Sequence, residues 1–143
     1  MINFFHFFKL KNLMVLLPLI FGWMIYYQTR DNSIRLNQWT EYIGIEKHNI
    51  ITPYWFKYNL PDGIFAFSFL NLFFLVWGNK VPKIWIVICI SFLFLSETLQ
   101  GIWISGTFDF FDLIFIILGI ELSIFINYII NLKQKQHENK TIS

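Results

Sequence analysis

The sequence predicts an all-α integral membrane protein, a bundle of four transmembrane helices with both termini in the cytoplasm. Three observations carry this. Hydrophobic residues make up 56% of the 143 residues and charged residues only 14%, against about 25% charge in a soluble domain. A chain this short and this poor in charge would struggle to cover a soluble surface. Four apolar segments stand out: Leu13–Tyr27, Gly63–Trp77, Ile84–Leu95 and Phe110–Ile130. Basic residues flank them unevenly. Lys9 and Lys11 precede the first, Lys80 and Lys83 separate the second from the third, and Lys133, Lys135 and Lys140 follow the fourth, whereas the loop Gly101–Phe108 has none. Short loops decide orientation in the positive-inside rule, so the helices run in-out, out-in, in-out and out-in.

Each span needs about 20 residues. The first is expected over about residues 10–29. Its apolar core follows Lys9 and Lys11 as a signal-peptide core would, but Gly22-Trp23-Met24 is no small-x-small cleavage site, so it reads as a retained helix. Pro18 inside it predicts a kink, which membrane helices tolerate. The second is expected over 60–78. Asn59-Leu60-Pro61-Asp62 has the order of a helix start: Asn59 at the N-cap, Pro61 in the first turn, and Asp62 where a carboxylate meets the positive helix end. The third, over 83–103, extends its apolar core through Thr98 to Trp103. The fourth, over 109–132, meets the length directly. These form one membrane domain, 1–132, with an extracytoplasmic loop at 30–59 and a solvated cytoplasmic tail at 133–143. Trp39, Tyr42, Ile43, Trp55 and Phe56 predict that the loop packs on the outer face of the bundle or in the interface. Tyr26, Tyr27, Trp39, Trp55, Trp77, Trp85 and Trp103 fall near the predicted interfaces, as an aromatic belt would place them.

This topology gathers polar residues at one end. Outside, the first helix ends at Arg30 and Asp31, the second begins at Asp62, the third ends at Glu97 and Gln100, and the fourth begins at Asp109 and Asp112. Acids at the rim of a bilayer are costly and call for an account. Asp62 has one as a capping-turn carboxylate. Asp109 and Asp112 allow two readings, a cap with its first-turn partner or two groups of a site, because a spacing of three puts both on one helix face. Arg30 either snorkels to the interface or joins the site. Glu97 has no capping account, since the C-terminal end of a helix disfavours a carboxylate. It requires either a partner such as Arg30 or Arg35, or a functional role. Gln100 shares its face. Glu121 lies roughly 13 Å deeper than Asp112 at about 1.5 Å per residue, near mid-bilayer. It is expected to face the bundle interior, either as a functional intramembrane acid or protonated and bonded to Ser68, Asn71 or Ser91.

Other classes of function find little support. A net charge of +2, with no basic run interleaved with aromatics, does not suggest a nucleic-acid partner. Cys89 is the single cysteine, which excludes an internal disulfide and a cysteine-based zinc site; it reads as a packing residue. His6 and His48 are isolated, without metal-ligand spacing. No cofactor or resident metal is expected, although the outer acids offer the oxygen ligands that suit a divalent cation. The expected partners are membrane lipids, an envelope precursor and, for some functions, a second copy of the chain.

The run Glu97-x-x-Gln100, then Gly106-Thr107-Phe108-Asp109, then Asp112 and Gly119 resembles the VanZ-like family of small bacterial membrane proteins. In that family a Glu-x-x-Gln pair ends one helix, an Arg-containing turn follows, and the next helix carries an Asp and a Gly seven residues later. Leu60-Pro61-Asp62 is similar to the family's Asp-led helix start. The resemblance covers roughly Asp62–Gly119. It departs at Gly106, where the family usually has arginine, at Ile116, where it usually has asparagine, and at Gly63-Ile64-Phe65-Ala66, which lacks the Lys and His often seen there. The chain thus resembles a divergent member. The resemblance implies a protein of the bacterial cytoplasmic (inner) membrane connected with the cell envelope. The family's named member confers resistance to a glycopeptide antibiotic, teicoplanin. It supplies no reaction.

Three functions are consistent with these residues. The first is an outward-facing polar site of Glu97, Gln100, Asp109, Asp112, Asp62 and Arg30 that binds or modifies an envelope or lipid-linked molecule. The second is acid–base catalysis by two carboxylates with unequal surroundings, against which stand the lack of a nucleophile motif, a phosphate loop or a nearby histidine. The third is a small dimeric proton-coupled transporter using Glu121. An accessory membrane subunit, with no site of its own, is the plainest alternative.

Overall fold

The computed structural model describes residues 2–29, 42, 44, 52–100 and 109–142, the side chains of residues 2–11, 79, 135 and 137–142 excepted. Among the described residues every regular element is helical. Helix α1 spans Ile2–Thr29, α2 Tyr54–Tyr58, α3 Leu60–Trp77, α4 Lys83–Gln100 and α5 Phe110–Ile142, with a 3-10 turn over Gly78–Lys80. Four stretches are long and apolar enough to cross a membrane: Asn12–Thr29, Tyr54–Trp77, Lys83–Gln100 and Phe110–Gln134. The chain is a multi-pass, all-α membrane protein.

Local chemistry explains most helix ends. Pro18 lies inside α1 without ending it; a proline removes one backbone hydrogen bond, and the helix continues through it to Thr29. The second span starts earlier than expected. Pro53 opens the short α2, and only Asn59, itself in the right-handed helical region, separates α2 from α3. Gly78 ends α3 at φ 61, a left-handed conformation that costs glycine little and other residues more. Helix α5 runs on to Ile142, so the expected tail at 133–143 is helical in its backbone almost to its end. Its Lys, Gln and Glu are good helix formers and no Gly or Pro interrupts them.

Helix α3 is the hub. It packs most extensively on α5 and α1, while α4 lies more lightly against α3 and α5. The α3–α5 contact is backbone to backbone: a Cβ added at Gly119 would lie 2.1 Å from the Gly63 carbonyl oxygen, and one at Gly63 would lie 2.8 Å from the Phe115 carbonyl oxygen. Small residues permit this, and in lipid such close van der Waals packing drives helix association. One face of α5 is buried along Asp112, Ile116, Gly119, Ile120, Ser123, Asn127 and Ile130, spacings of three and four that define a helical stripe. Ala66, Leu70, Cys89, Leu93, Ile116 and Ile120 form the apolar core where α3, α4 and α5 meet. Cys89 is therefore a packing residue. Lower in the same interface Asn127 Nδ2 donates to Asn71 Oδ1 at 2.6 Å, an interhelical bond between buried amides.

The outward faces are apolar in bulk. Leu16, Leu17, Phe21, Val76, Leu95 and Phe125 are all more than half exposed, an arrangement suited to lipid rather than water. At the turn between α3 and α4, Trp77 stacks on both Phe73 and Trp85, the Trp77 and Trp85 ring centroids lying 5.6 Å apart. This is the aromatic anchoring expected of a span end.

Candidate functional site

The antiparallel order of α3, α4 and α5 brings two helix N-termini and one C-terminus to the same end of the bundle. Asp62 lies in the first turn of α3 and Asp112 in the first turn of α5, while Glu97 lies in the last turn of α4. One carboxylate oxygen from each of the three lies within 4.8 Å of the others. Glu97 and Asp112 are buried, at 3% and 6% exposure, and Asp62 is half-buried.

The carboxylates do not all owe their places to one cause. Asp62 and Asp112 sit at the positive ends of their helices. Glu97 sits at the negative end of its own, so α4 disfavours it. The compensation comes from outside α4, because the N-termini of α3 and α5 converge on the same point. Two amides fix the geometry. Gln100 Nε2 donates to Glu97 Oε2 at 2.9 Å, as a spacing of three on one helix allows. Asn59 Nδ2 donates to Asp112 Oδ1 at 2.5 Å across the α3–α5 interface.

Asn59 does not play the part its sequence context suggests. No side-chain capping bond is made at the start of α3. Asn59 is instead 1% exposed and spends its amide on Asp112. The capping motif hid this role, and the burial of an Asn between two helices has no local sequence signal. Asp109 is the true cap: its Oδ1 accepts the Phe111 N–H at 3.1 Å, and the first backbone bond of α5 runs from Asp112 N to Asp109 O. It thus stands outside the group of three acids, and the two readings left open for Asp109 and Asp112 divide between them.

Glu121 does not face the bundle interior as expected. It lies on the exposed side of α5, and of the residues expected to receive it Asn71 bonds Asn127, Ser68 is buried and Ser91 is exposed. Helical geometry gives the reason. Nine residues from Asp112 to Glu121 are about two and a half turns at 3.6 residues per turn, so an inward Asp112 requires an outward Glu121. Arg30, Arg35 and the Gly101–Phe108 loop, including Gly106, lie outside the described residues, as do His48, Trp39, Trp103 and the side chain of His6.

Three ionised carboxylates this close repel strongly. At 4.8 Å and an effective dielectric constant of about 20, each pair costs roughly 3.5 kcal/mol. The oxygens are spaced to suit either an oxygen-liganded cation, whose ligands at about 2.4 Å stand up to about 4.8 Å apart across the ion, or a cationic nitrogen donor. Comparison with family models, with curated proteins and with solved structures yields no match.

Proposed function

We propose that the carboxylates of Asp62, Glu97 and Asp112 form the binding site of a VanZ-like envelope protein of the bacterial inner membrane, and that the site takes up a positively charged group of an envelope or lipid-linked molecule. The observation that carries this reading is the convergence of three acids from three helices within 4.8 Å, two of them buried. Ionisable groups drawn into a membrane bundle mark functional sites by default, and a helix bundle gains nothing in packing from three carboxylates at one point. The resemblance over Asp62–Gly119 supports an envelope role, and the lysine distribution supports placing this end of the bundle on the outer face. Gln100 and Asn59 hold the acids in position. Asp109 serves the helix rather than the ligand.

The test is Glu97→Gln in a strain whose envelope phenotype depends on this protein, glycopeptide susceptibility being the first to measure. The variant keeps the shape of the side chain and its bond to Gln100 while removing a charge. We expect the phenotype to be lost at unchanged abundance in the membrane. A fully active Glu97→Gln variant overturns the proposal. A second reading, a dimeric proton-coupled transporter, draws on one observation: Glu121 is exposed at mid-span, where only another chain would enclose it. Proton-coupled efflux in vesicles that survives Glu121→Gln eliminates it.

A further inference from the structure

Glu121 lies at the centre of the longest and most apolar of the four spans, Phe110–Gln134. It is eleven residues from Phe110 and thirteen from Gln134, about 16 and 20 Å at 1.5 Å per residue. Its carboxyl is too far from either interface to snorkel there. It also points away from the bundle. Asp112 and Ile130, each nine residues off, are both buried while Glu121 is exposed, and nine residues are about two and a half turns. Glu121 therefore stands opposite the packed stripe of α5. Among the described residues its carboxyl makes no hydrogen bond or ion pair. Around it α5 presents an apolar seam: Ile114, Ile117, Ile124 and Tyr128 are all exposed. With Glu121 in the middle they follow one another at spacings of three, four, three and four. That seven-residue pattern is how one helix seats its side chains against another at a shallow crossing angle.

Lipid suits the apolar residues of this seam but not Glu121. Acids within a membrane almost always turn inward and pair. Glu121 turns outward, so its partner lies outside the chain. A second copy brings no complementary charge. The basic residues within the four spans are Lys57, Lys83 and Lys133, each within four residues of a span end. None reaches mid-depth, and two copies meeting at this seam would set Glu121 against Glu121. Charge complementarity selects a different helix. We infer that the outer face of α5 docks a transmembrane helix of another membrane protein, one that carries a lysine or arginine at mid-span opposite Glu121. A basic side chain alone at that depth is as costly as an acid. Paired, the two share charge-assisted hydrogen bonds, and each covers the other from lipid. The seam lies on the opposite side of α5 from Asp112, so this inference goes beyond the outer acid site and does not rest on it.

The experiment uses the purified full chain in phosphatidylcholine vesicles and a synthetic leucine–alanine peptide of about 23 residues, long enough to span. The peptide carries one arginine at its centre and a photoreactive diazirine on a leucine one turn away. The expected result is labelling concentrated on Ile117, Ile124 and Tyr128. A peptide with leucine in place of the arginine is expected to label about tenfold less or weaker still, through loss of a charged hydrogen bond. Glu121→Gln is expected to lower labelling by the arginine peptide to the same extent, and its place on the exposed face leaves the bundle intact. Exchange of charge separates pairing from mere fit: Glu121→Lys is expected to reject the arginine peptide and to accept one with a central glutamate. Equal labelling by the arginine and leucine peptides overturns the inference, as does labelling spread evenly over all four spans or no labelling at all. Ile124→Cys in vesicles holding the chain alone is expected to form no disulfide between copies. A disulfide-linked dimer there would show that a second copy covers the face, which overturns the inference in favour of the dimeric reading. The outer acid site is tested separately by Glu97→Gln, so failure of one claim is distinguishable from failure of the other.

Discussion

Asn59 and Glu97 hold the candidate site together from opposite directions, one by a bond that its sequence context conceals and the other by a charge that its own helix disfavours. Asn59→Ala removes the donor to the buried Asp112 oxygen, and an orphaned charged acceptor costs about 1–3 kcal/mol or more. We expect a measurable fall in thermal stability in detergent and, because Asp112 is released, weaker ligand binding in the same variant. An Asn59→Ala protein with wild-type melting would mean that the bond to Asp112 carries no net energy. Glu97 was legible as exceptional from its position alone, since a carboxylate in the last turn of an apolar helix has no favourable local account. Asn59 was not, because Asn before Pro-Asp reads as a cap whichever way its side chain turns.

Between elements, the contact of Gly63 with Gly119 sets how α3 and α5 are rotated against each other. That rotation turns Asp112 inward and Glu121 outward. Gly119→Ala places a methyl 2.1 Å from a backbone oxygen, which no side-chain adjustment relieves. Overpacking of this kind costs about 1–3 kcal/mol, and we expect at least that loss of stability together with loss of the Asp62–Asp112 juxtaposition. Gly22→Ala is the control, since its methyl meets only the Ile64 side chain at 3.0 Å. It should melt within about 1 kcal/mol of wild type. Comparable melting of the two variants would show that the α3–α5 approach is looser than described. The spans themselves were legible element by element: hydropathy over about 20 residues is a local sum, and α3, α4 and α5 begin within a residue of where composition put them. The helical continuation of α5 goes beyond the expected span because charge marks the tail as solvated, while its composition still favours helix.

For the whole molecule, hydropathy and charge asymmetry make a prediction that cysteine chemistry checks directly. Cys89 is fully buried, so the natural chain gives a low background with membrane-impermeant thiol reagents. Phe110→Cys, at the acid-cluster end and 67% exposed, should label in intact cells, and Lys133→Cys should label only after the membrane is opened. The reverse pattern would move the acid site to the cytoplasmic side and remove the envelope reading with it. The same scale explains why so much apolar surface is exposed: most of α1, α4 and the outer face of α5 has lipid as its expected neighbour.

By itself the sequence determined the class of the protein, its four spans and the set of polar residues that share one end, because each of these follows from local composition and from the alternation of direction that spanning imposes. Only the tertiary structure decided which of those residues meet. Rotation of a helix about its axis costs nothing in hydropathy when the helix is apolar nearly all round, so no pattern along α3 or α5 announces the inward face. The close approach of Gly63 and Gly119 fixes it, and with it the union of Asp62, Glu97 and Asp112, the departure of Asp109 to a cap, and the outward turn of Glu121.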